Sequence, residues 1–271
     1  MSFKFSDKKT WVMGVINMNS DSFYNQSRKS TPKETLEFAE KLVEEGADIL
    51  DIGAESSRPG SKPISEEIEI ERLSEVIPDL VKRFSIPISV DTYKPNVAER
   101  VLEMGASIIN DITGLRTFSK TASITAKYEA GMILMHMQGT PEDMQDAPFY
   151  EDLISEVSSS LKDSADIAIK AGVASDKIAL DIGIGFGKTV EHNLQLIREL
   201  DQFLTLEYPL VLGVSRKSFI GKILDLPVEE RLEGSLASAV IGLQNGARIF
   251  RVHDVKETVR AIRIAENILN L

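Results

Sequence analysis

Polar and charged residues recur where short apolar runs of this 271-residue sequence end, and they are the first candidates for chemistry. A buried carboxylate needs hydrogen-bonded or charged partners, so a ring of carboxylates is costly unless a polar ligand fills its centre. The pattern therefore predicts a binding site for a polar molecule. In chain order, the residues are Asn17, Asp51, Asp91, Asn110, Asp111, His136, Asp181, Ser215, Arg216, Lys217, Ser218, Arg251, His253 and Asp254.

Four potentially cationic residues close the last two apolar runs: Arg216, Lys217, Arg251 and His253. They would repel one another unless an anion compensates them, and local positive charge is notable in a chain whose formal net charge is -11. We therefore expect a phosphate-bearing substrate. If the runs are strands of a closed barrel, Asn17 ends the first strand beside the eighth and offers a neutral oxygen ligand to Mg²⁺ on the same phosphates.

Other patterns are less specific. Residues 183–189 resemble a phosphate loop, but the first glycine of that motif would fall at Ile182, and the spacing does not fit a dinucleotide fingerprint. We interpret the segment as a strand-to-helix turn that exposes Phe186 to a ligand, with a packed phenylalanine as the alternative. The three histidines lack zinc-type spacing, and core packing explains His136 as well as catalysis does.

Eight apolar runs rich in Val and Ile recur at intervals typical of successive strand-and-helix units. Their continuous apolar character suits parallel strands that helices cover on the outside. Helical periodicity lies between them, for example over residues 31–46, where Gly46 supplies the stop. The predicted strands are residues 12–17, 48–53, 87–91, 107–111, 132–137, 178–183, 210–215 and 248–254.

This order predicts an α/β fold, a closed (β/α)8 TIM barrel, as one domain over residues 1–271, in preference to a doubly wound open sheet. No linker rich in Pro, Gly or Ser divides the chain. An α/β barrel builds its active site at the carboxyl ends of its strands, where the polar residues stand.

Composition excludes several classes of function. The acidic balance argues against a nucleic-acid partner, which needs a basic face. The sequence contains no cysteine, which excludes disulfides, thiolate nucleophiles and cysteine metal sites. No secretory signal and no apolar run of about 20 residues occurs, so we expect no membrane partner and a cytoplasmic location.

Eight segments in order resemble the dihydropteroate synthase family of pterin-binding TIM barrels, from about residue 11 to about residue 255. The match includes Asp-Ile-Gly-Ala-Glu-Ser-Ser-Arg-Pro-Gly-Ser over residues 51–61 and Gly-Val-Ser-Arg-Lys-Ser-Phe-Ile-Gly over residues 213–221. The other segments are residues 14–23, 89–95, 108–114, 134–145, 181–189 and 251–255.

The resemblance assigns roles to matching positions. It implies a pterin site at Asp91, Asn110, Asp181 and Lys217. It implies a diphosphate site at Asn17, Arg251 and His253, with Asn17 also the metal ligand. Two mobile loops, residues 18–30 and 56–63, would close over the reactants. The p-aminobenzoate and loop residues would be Phe23, Ser57, Arg58, Pro59, Phe186 and Ser218.

The implied activity is a step of folate biosynthesis. It condenses (7,8-dihydropterin-6-yl)methyl diphosphate with p-aminobenzoate to give 7,8-dihydropteroate and diphosphate, with Mg²⁺ as cofactor. Departing diphosphate would leave a resonance-stabilised pterin cation that the arylamine attacks, so no protein nucleophile is needed. The resemblance also implies a homodimer and inhibition by sulfonamides.

The sequence departs from the family pattern at three positions. Asn25 stands where many members carry an aspartate, Ser57 replaces threonine, and Ile182 replaces proline. These changes bear on loop closure. Two rival functions are a barrel that transfers a methyl group from a reduced folate to a corrinoid partner, and a silent paralogue that only binds pterin.

Overall fold

The eight apolar runs form eight parallel strands in one closed barrel, with the strands in chain order around it. This confirms the predicted (β/α)8 architecture. The strands are β1 (Trp11–Asn17), β2 (Ile49–Gly53), β3 (Ile88–Asp91), β4 (Ile108–Asp111), β5 (Gly131–Met135), β6 (Ile178–Asp181), β7 (Leu210–Leu212) and β8 (Ala247–Val252).

The structure is a computed structural model that describes residues 4–5, 9–18, 31–57 and 60–271. The predicted site residues Phe23, Arg58 and Pro59 lie outside these ranges, as does Asn25. The first predicted loop is therefore described only at Met18, and the second only in part.

Helices cover the outer face of the barrel. The predicted helix over residues 31–46 is confirmed: Thr31 accepts from the Glu34 amide in a capping box, and Phe38, Ala39 and Leu42 face the core. The helices are α1 (Pro32–Glu44), α2 (Glu66–Ser74), α3 (Ile77–Arg83), α4 (Pro95–Glu103), α5 (Lys120–Lys127), α6 (Leu153–Lys170), α7 (Val190–Arg198), α8 (Ser218–Leu224), α9 (Leu232–Gln244) and α10 (Val255–Leu269).

The barrel interior has two layers of opposite chemistry, because side chains alternate along a strand and every second residue points inward. The lower layer is apolar and consists of Met13, Ile49, Ile108, Ile133, Ala179, Val211 and Ile249, with Phe5 packed against them. The upper layer, two residues later on each strand, is Val15, Asp51, Asn110, Met135, Asp181, Gly213 and Arg251. The alternation of side chains along the strands therefore places an apolar layer beneath a polar layer at the mouth of the barrel.

Four strands end earlier than predicted, at Met135, Asp181, Leu212 and Val252. His136, Ser215 and His253 therefore follow their strands rather than belong to them. Beyond β6 the turn requires glycine: Gly183 has a φ of 68°, and a Cβ atom there would lie 1.8 Å from the His136 carbonyl oxygen. No helix among the described residues is long and apolar enough to cross a membrane.

Candidate active site

A cleft opens at the carboxyl ends of the strands, above the upper interior layer. It joins predicted site residues from four different segments, namely Asn110, Asp181, Phe186, Lys217, Arg251 and His253. Its other lining residues are Val15, Ile112, Met135, Ile184, Gly213 and Ser215.

Arg251 spans the mouth of the barrel and joins two aspartates. Its Nε donates to the Asp51 carboxylate at 2.7 Å, and its Nη2 donates to Asp91 at 2.9 Å. Burial by itself would lower the pKa of Arg251, but the two carboxylates raise it above its usual range. Its Nη1 makes no hydrogen bond to a described residue, so this part of the guanidinium remains available to a ligand.

Asp51 holds this arrangement together from the interior of the barrel. Its carboxylate is fully buried and also accepts from the Ser89 hydroxyl at 2.7 Å and from the Asn110 amide at 3.4 Å. These contacts place Asn110 with its amide nitrogen toward Asp51, and its Oδ1 accepts no hydrogen bond from a described residue. Asn110 thus presents an acceptor to the cleft.

Two carboxyl groups of the site have raised pKa values. Burial raises the pKa of Asp91 to about 7, assisted by Asp51 and opposed by Arg251. Burial also raises the pKa of Asp181, although the Gly183 amide, which donates to Asp181 Oδ1 at 2.7 Å, opposes the shift. Asp181 Oδ2 accepts no hydrogen bond from a described residue, so it can receive one from a ligand.

Lys217 lies opposite Asp181, with its ammonium nitrogen 4.2 Å from the centre of the Phe186 ring. Burial and the nearby charge of Arg251 lower the pKa of Lys217 to about 8. Among the described residues, no carboxylate oxygen lies within 4 Å of this nitrogen. Lys217 and Phe186 therefore present an ammonium group and an aromatic ring side by side.

Phe186 is packed, as the alternative interpretation of the turn held, and it also lines the cleft, where a ligand can contact it. Only 8% of its surface is accessible, and it belongs to a small cluster with Ile112, Met135, Met137 and Met144. Ile112, Met135 and Phe186 also line the cleft, so they form its apolar wall.

His136 and Lys188 form a buried pair beneath the same turn. The Lys188 ammonium lies 3.0 Å from His136 Nδ1 and donates to the Phe186 carbonyl oxygen at 3.0 Å. Burial and the charge of Lys188 lower the pKa of His136 to about 2, and burial lowers the pKa of Lys188 to about 7. His136 is therefore a satisfied, neutral core histidine, and it does not line the cleft.

Arg216 does not join the cationic group that the sequence suggested. Its guanidinium is buried away from the mouth, with Nε and Nη2 each 2.8 Å from the Asp254 carboxylate. Its Nη1 donates to two main-chain carbonyl groups, those of Val228 and Glu229. Arg216 and Arg251 both have acidic partners. The argument that four cations would repel one another without a bound anion therefore does not hold for this site.

The four remaining predicted residues that the structure describes lie in different environments. His253 follows β8, and its Nδ1 lies 3.0 Å from the Ser215 hydroxyl. Asn17 is half-buried at the end of β1, and its side chain makes no hydrogen bond to a described residue. Ser57 lines a neighbouring small cleft with Asp91, whereas Ser218 is exposed at the start of α8 and does not line the main cleft.

A metal ion would find few protein ligands here. In the part of the chain that the structure describes, no three His, Asp or Glu side chains converge to hold one. Asn17 offers one neutral amide oxygen. That donor set fits Mg²⁺ that is carried by a diphosphate and keeps several water ligands, and it does not fit an ion caged by the protein.

Comparison with known proteins decides the family. The family model described as "Pterin binding enzyme" matches residues 13–253. Dihydropteroate synthase of Bacillus subtilis is 43% identical over 263 residues, which cover 97% of this chain and 90% of that protein. The chain belongs to the dihydropteroate synthase family.

Solved structures of the family share the whole fold. The Yersinia pestis dihydropteroate synthase, determined with a sulfonamide drug complex, has a TM-score of 0.93 at 39% identity, covering 98% of this chain and 96% of that one. The Clostridium difficile enzyme, determined in the presence of pteroic acid, has a TM-score of 0.89 at 40% identity, with 97% of each chain covered.

For this member of the dihydropteroate synthase family, sequence reasoning missed the residues that hold the others in place. Asp51 was a strand-end candidate without a role, and Ser89 and Ser215 had no assigned partner. The interior alternation of β2 and β3 could have identified Asp51 and Ser89, because both occupy inward positions that are otherwise apolar. No sequence signal pairs Ser215 with His253.

Proposed function

We propose that the protein condenses (7,8-dihydropterin-6-yl)methyl diphosphate with p-aminobenzoate to form 7,8-dihydropteroate and diphosphate. The observation that carries this assignment is the set of unpaired polar groups that face one cleft. They comprise an amide oxygen, a carboxylate oxygen, an ammonium group and part of a guanidinium, contributed by Asn110, Asp181, Lys217 and Arg251.

The pterin ring is assigned to the interior side of this cleft. Its aminopyrimidinone edge presents donors that Asp181 Oδ2 and Asn110 Oδ1 accept, and acceptors that Lys217 serves. Asp91 completes this set, with one carboxylate oxygen held by Arg251. The flat face of the ring is assigned to the apolar wall of Ile112, Met135 and Phe186.

The diphosphate is assigned to the outer side, to Arg251 Nη1, His253 and Asn17, which ends β1, the strand that pairs with β8. Asn17 would hold Mg²⁺ on the diphosphate through its amide oxygen, and the ion would supply positive charge to the leaving group. Arg251 is already restrained by Asp51, so its charge is oriented before the substrate binds.

p-Aminobenzoate is assigned to Ser57, Phe186, Lys217 and Ser218, and also to Phe23, Arg58 and Pro59, which lie outside the described residues. The Ser215 hydroxyl lies 3.0 Å from His253 Nδ1 at the edge of the cleft, but the proposed reaction needs no protein nucleophile, because the arylamine attacks the pterin methylene group directly. Lys217 and Arg251 favour departure of the anionic leaving group, and the apolar wall excludes water.

Two further assignments stay predictions, namely the cytoplasmic location and the organisation of residues 1–271 as a single domain. A silent paralogue that merely binds pterin remains the alternative function, and turnover distinguishes the two.

The purified protein is expected to release diphosphate when both substrates and Mg²⁺ are present. Thorough chelation of the metal is expected to abolish turnover, and added Mg²⁺ should restore it, because Asn17 alone supplies too few ligands to retain the ion. The measurement is the rate of diphosphate release. Binding of pterin diphosphate without turnover would favour the silent paralogue, and turnover that survives chelation would refute the metal assignment.

Sulfonamides are expected to inhibit the enzyme in competition with p-aminobenzoate, because they share its aniline ring. Ser57, where the family usually has threonine, removes one methyl group, which is worth at most about 1 kcal/mol of packing and is too little to abolish binding. Initial rates at several p-aminobenzoate concentrations test this. An enzyme that turns over substrate unchanged at saturating sulfonamide would contradict the assignment.

We also propose that α9 and α10 form the interface of a homodimer. An apolar groove between these helices has no charged residue in its lining, and Ile264 and Ile268 beside it are 63% and 73% exposed. An exposed patch of this kind on two adjacent helices suits a second copy of the chain, because a two-fold axis makes one such groove complementary to itself.

In solution, the protein is expected to sediment at twice the mass of one chain. Ile268→Glu should yield the monomer, because it places a charge in the apolar contact, whereas Ile169→Glu on α6, also at an exposed isoleucine, should leave the dimer intact. A wild-type protein that sediments as a monomer at micromolar concentration would refute the interface.

A further inference from the structure

A buried cluster of charges lies beneath the segment that connects β2 to α2, outside the main cleft. The Lys94 ammonium lies 2.5 Å from Glu55 Oε2 and 2.7 Å from Glu69 Oε2. All three side chains are buried or nearly so, with 7%, 12% and 1% of Lys94, Glu55 and Glu69 exposed. We call this group the Lys94 clamp.

The clamp joins the two ends of the segment over residues 55–64. Glu55 Oε2 accepts a second hydrogen bond, from the Ile64 amide at 2.8 Å, and Lys94 also donates to the Ile64 carbonyl oxygen at 2.7 Å. Two positions nine residues apart are therefore held through one carboxylate and one ammonium. Within the segment, the Ser61 hydroxyl donates to the Ser56 carbonyl oxygen at 2.6 Å.

Charge balance distinguishes the two glutamates. Lys94 and Glu69 alone would form a neutral pair that connects the start of α4 to α2, and a second buried carboxylate adds negative charge that is costly to desolvate. Burial raises the pKa of Glu69 even though Lys94 opposes the shift, which reflects that cost. Glu55 adds a hydrogen bond to the Ile64 amide. The second buried carboxylate therefore fixes the segment, although its charge is costly to bury.

The clamped segment reaches the active site through Ser57, two residues after Glu55. Ser57 lines the small cleft with Asp91 and Ile112, and Ile112 also lines the main cleft. Glu55 and Glu69 line the same small cleft, so the two glutamates are equally near it and differ in the hydrogen bond to Ile64. The opposite side of the segment is fixed by the Gly60 amide, which donates to the Pro141 carbonyl oxygen at 2.9 Å. The position of Ser57 relative to Asp91 therefore depends on the clamp.

We infer that Glu55, held by Lys94, is a positioning residue for the second substrate, p-aminobenzoate, and that it does not contribute to binding of the pterin. The inference rests on the proposed function, because it uses the assignment of Ser57 to the p-aminobenzoate side. Glu55 is assigned to act through the main chain of the segment, because its Oε2 is held by the Lys94 ammonium and the Ile64 amide.

The test compares Glu55→Met with Glu69→Met. Each substitution removes one carboxylate of the same cluster and leaves Lys94 with the other as a partner, so both variants are expected to fold. Only Glu55→Met removes the acceptor of the Ile64 amide. The Michaelis constant for p-aminobenzoate, measured at saturating pterin diphosphate and Mg²⁺, is expected to rise about tenfold in Glu55→Met, since small misplacement of a positioning group costs about that much or more.

In Glu69→Met the same constant is expected to stay within about twofold of the wild-type value, even if the melting temperature falls further. The dissociation constant for pterin diphosphate, measured by calorimetry without p-aminobenzoate, should remain within about twofold in both variants. Equal effects of the two substitutions on the Michaelis constant, or no effect of Glu55→Met, would overturn the inference.

Amide hydrogen exchange separates this inference from the proposed function. The Ile64 amide is expected to exchange at least about tenfold faster in Glu55→Met and at an unchanged rate in Glu69→Met, because only the first variant loses its acceptor. If the wild-type protein shows no turnover but the Ile64 amide exchanges faster in Glu55→Met, the proposed reaction is refuted and the Lys94 clamp is supported. Unchanged exchange in Glu55→Met would refute the clamp whatever the activity.

Discussion

The ionic contact of Arg251 with Asp51 and Asp91 is the interaction on which the rest of the site depends. It connects β8 to β2 and β3 across the interior, where a lone charge of either sign would be strongly destabilising. Asp51 also aligns Ser89 and Asn110, so one buried carboxylate orients residues from three other strands. Ligand groups therefore meet a site whose polar side chains are already oriented.

The two interior layers explain why much of this could be predicted. Parallel strands buried on both faces give continuous apolar runs, and eight of them at regular spacing indicated the barrel. Within those runs, Asp51, Asn110 and Asp181 interrupt the apolar pattern at inward positions, so the polar layer was visible in the sequence. The floor beneath it and the cleft above it follow from the strand period of two.

Side-chain partners could not be predicted in the same way. Arg216 adjoins Lys217 in sequence, but its φ of 55° turns it toward Asp254, and nothing in the local pattern indicates that conformation. Lys188 resembles the lysine of a phosphate loop, yet it is buried against His136 and the Phe186 carbonyl oxygen. These outcomes depend on contacts between segments far apart in the chain, which periodicity and motif spacing do not encode.

Asp51 allows the most direct test of the claim that the Arg251 network holds the barrel mouth together. Asp51→Asn removes a buried carboxylate from three donors, so the free energy of unfolding, measured in urea, should fall by about 3 kcal/mol. The control is Glu40→Gln, which breaks the exposed pair with Arg83 at 3.0 Å and should cost less than about 1 kcal/mol. An Asp51→Asn cost no larger than that of Glu40→Gln would contradict the account.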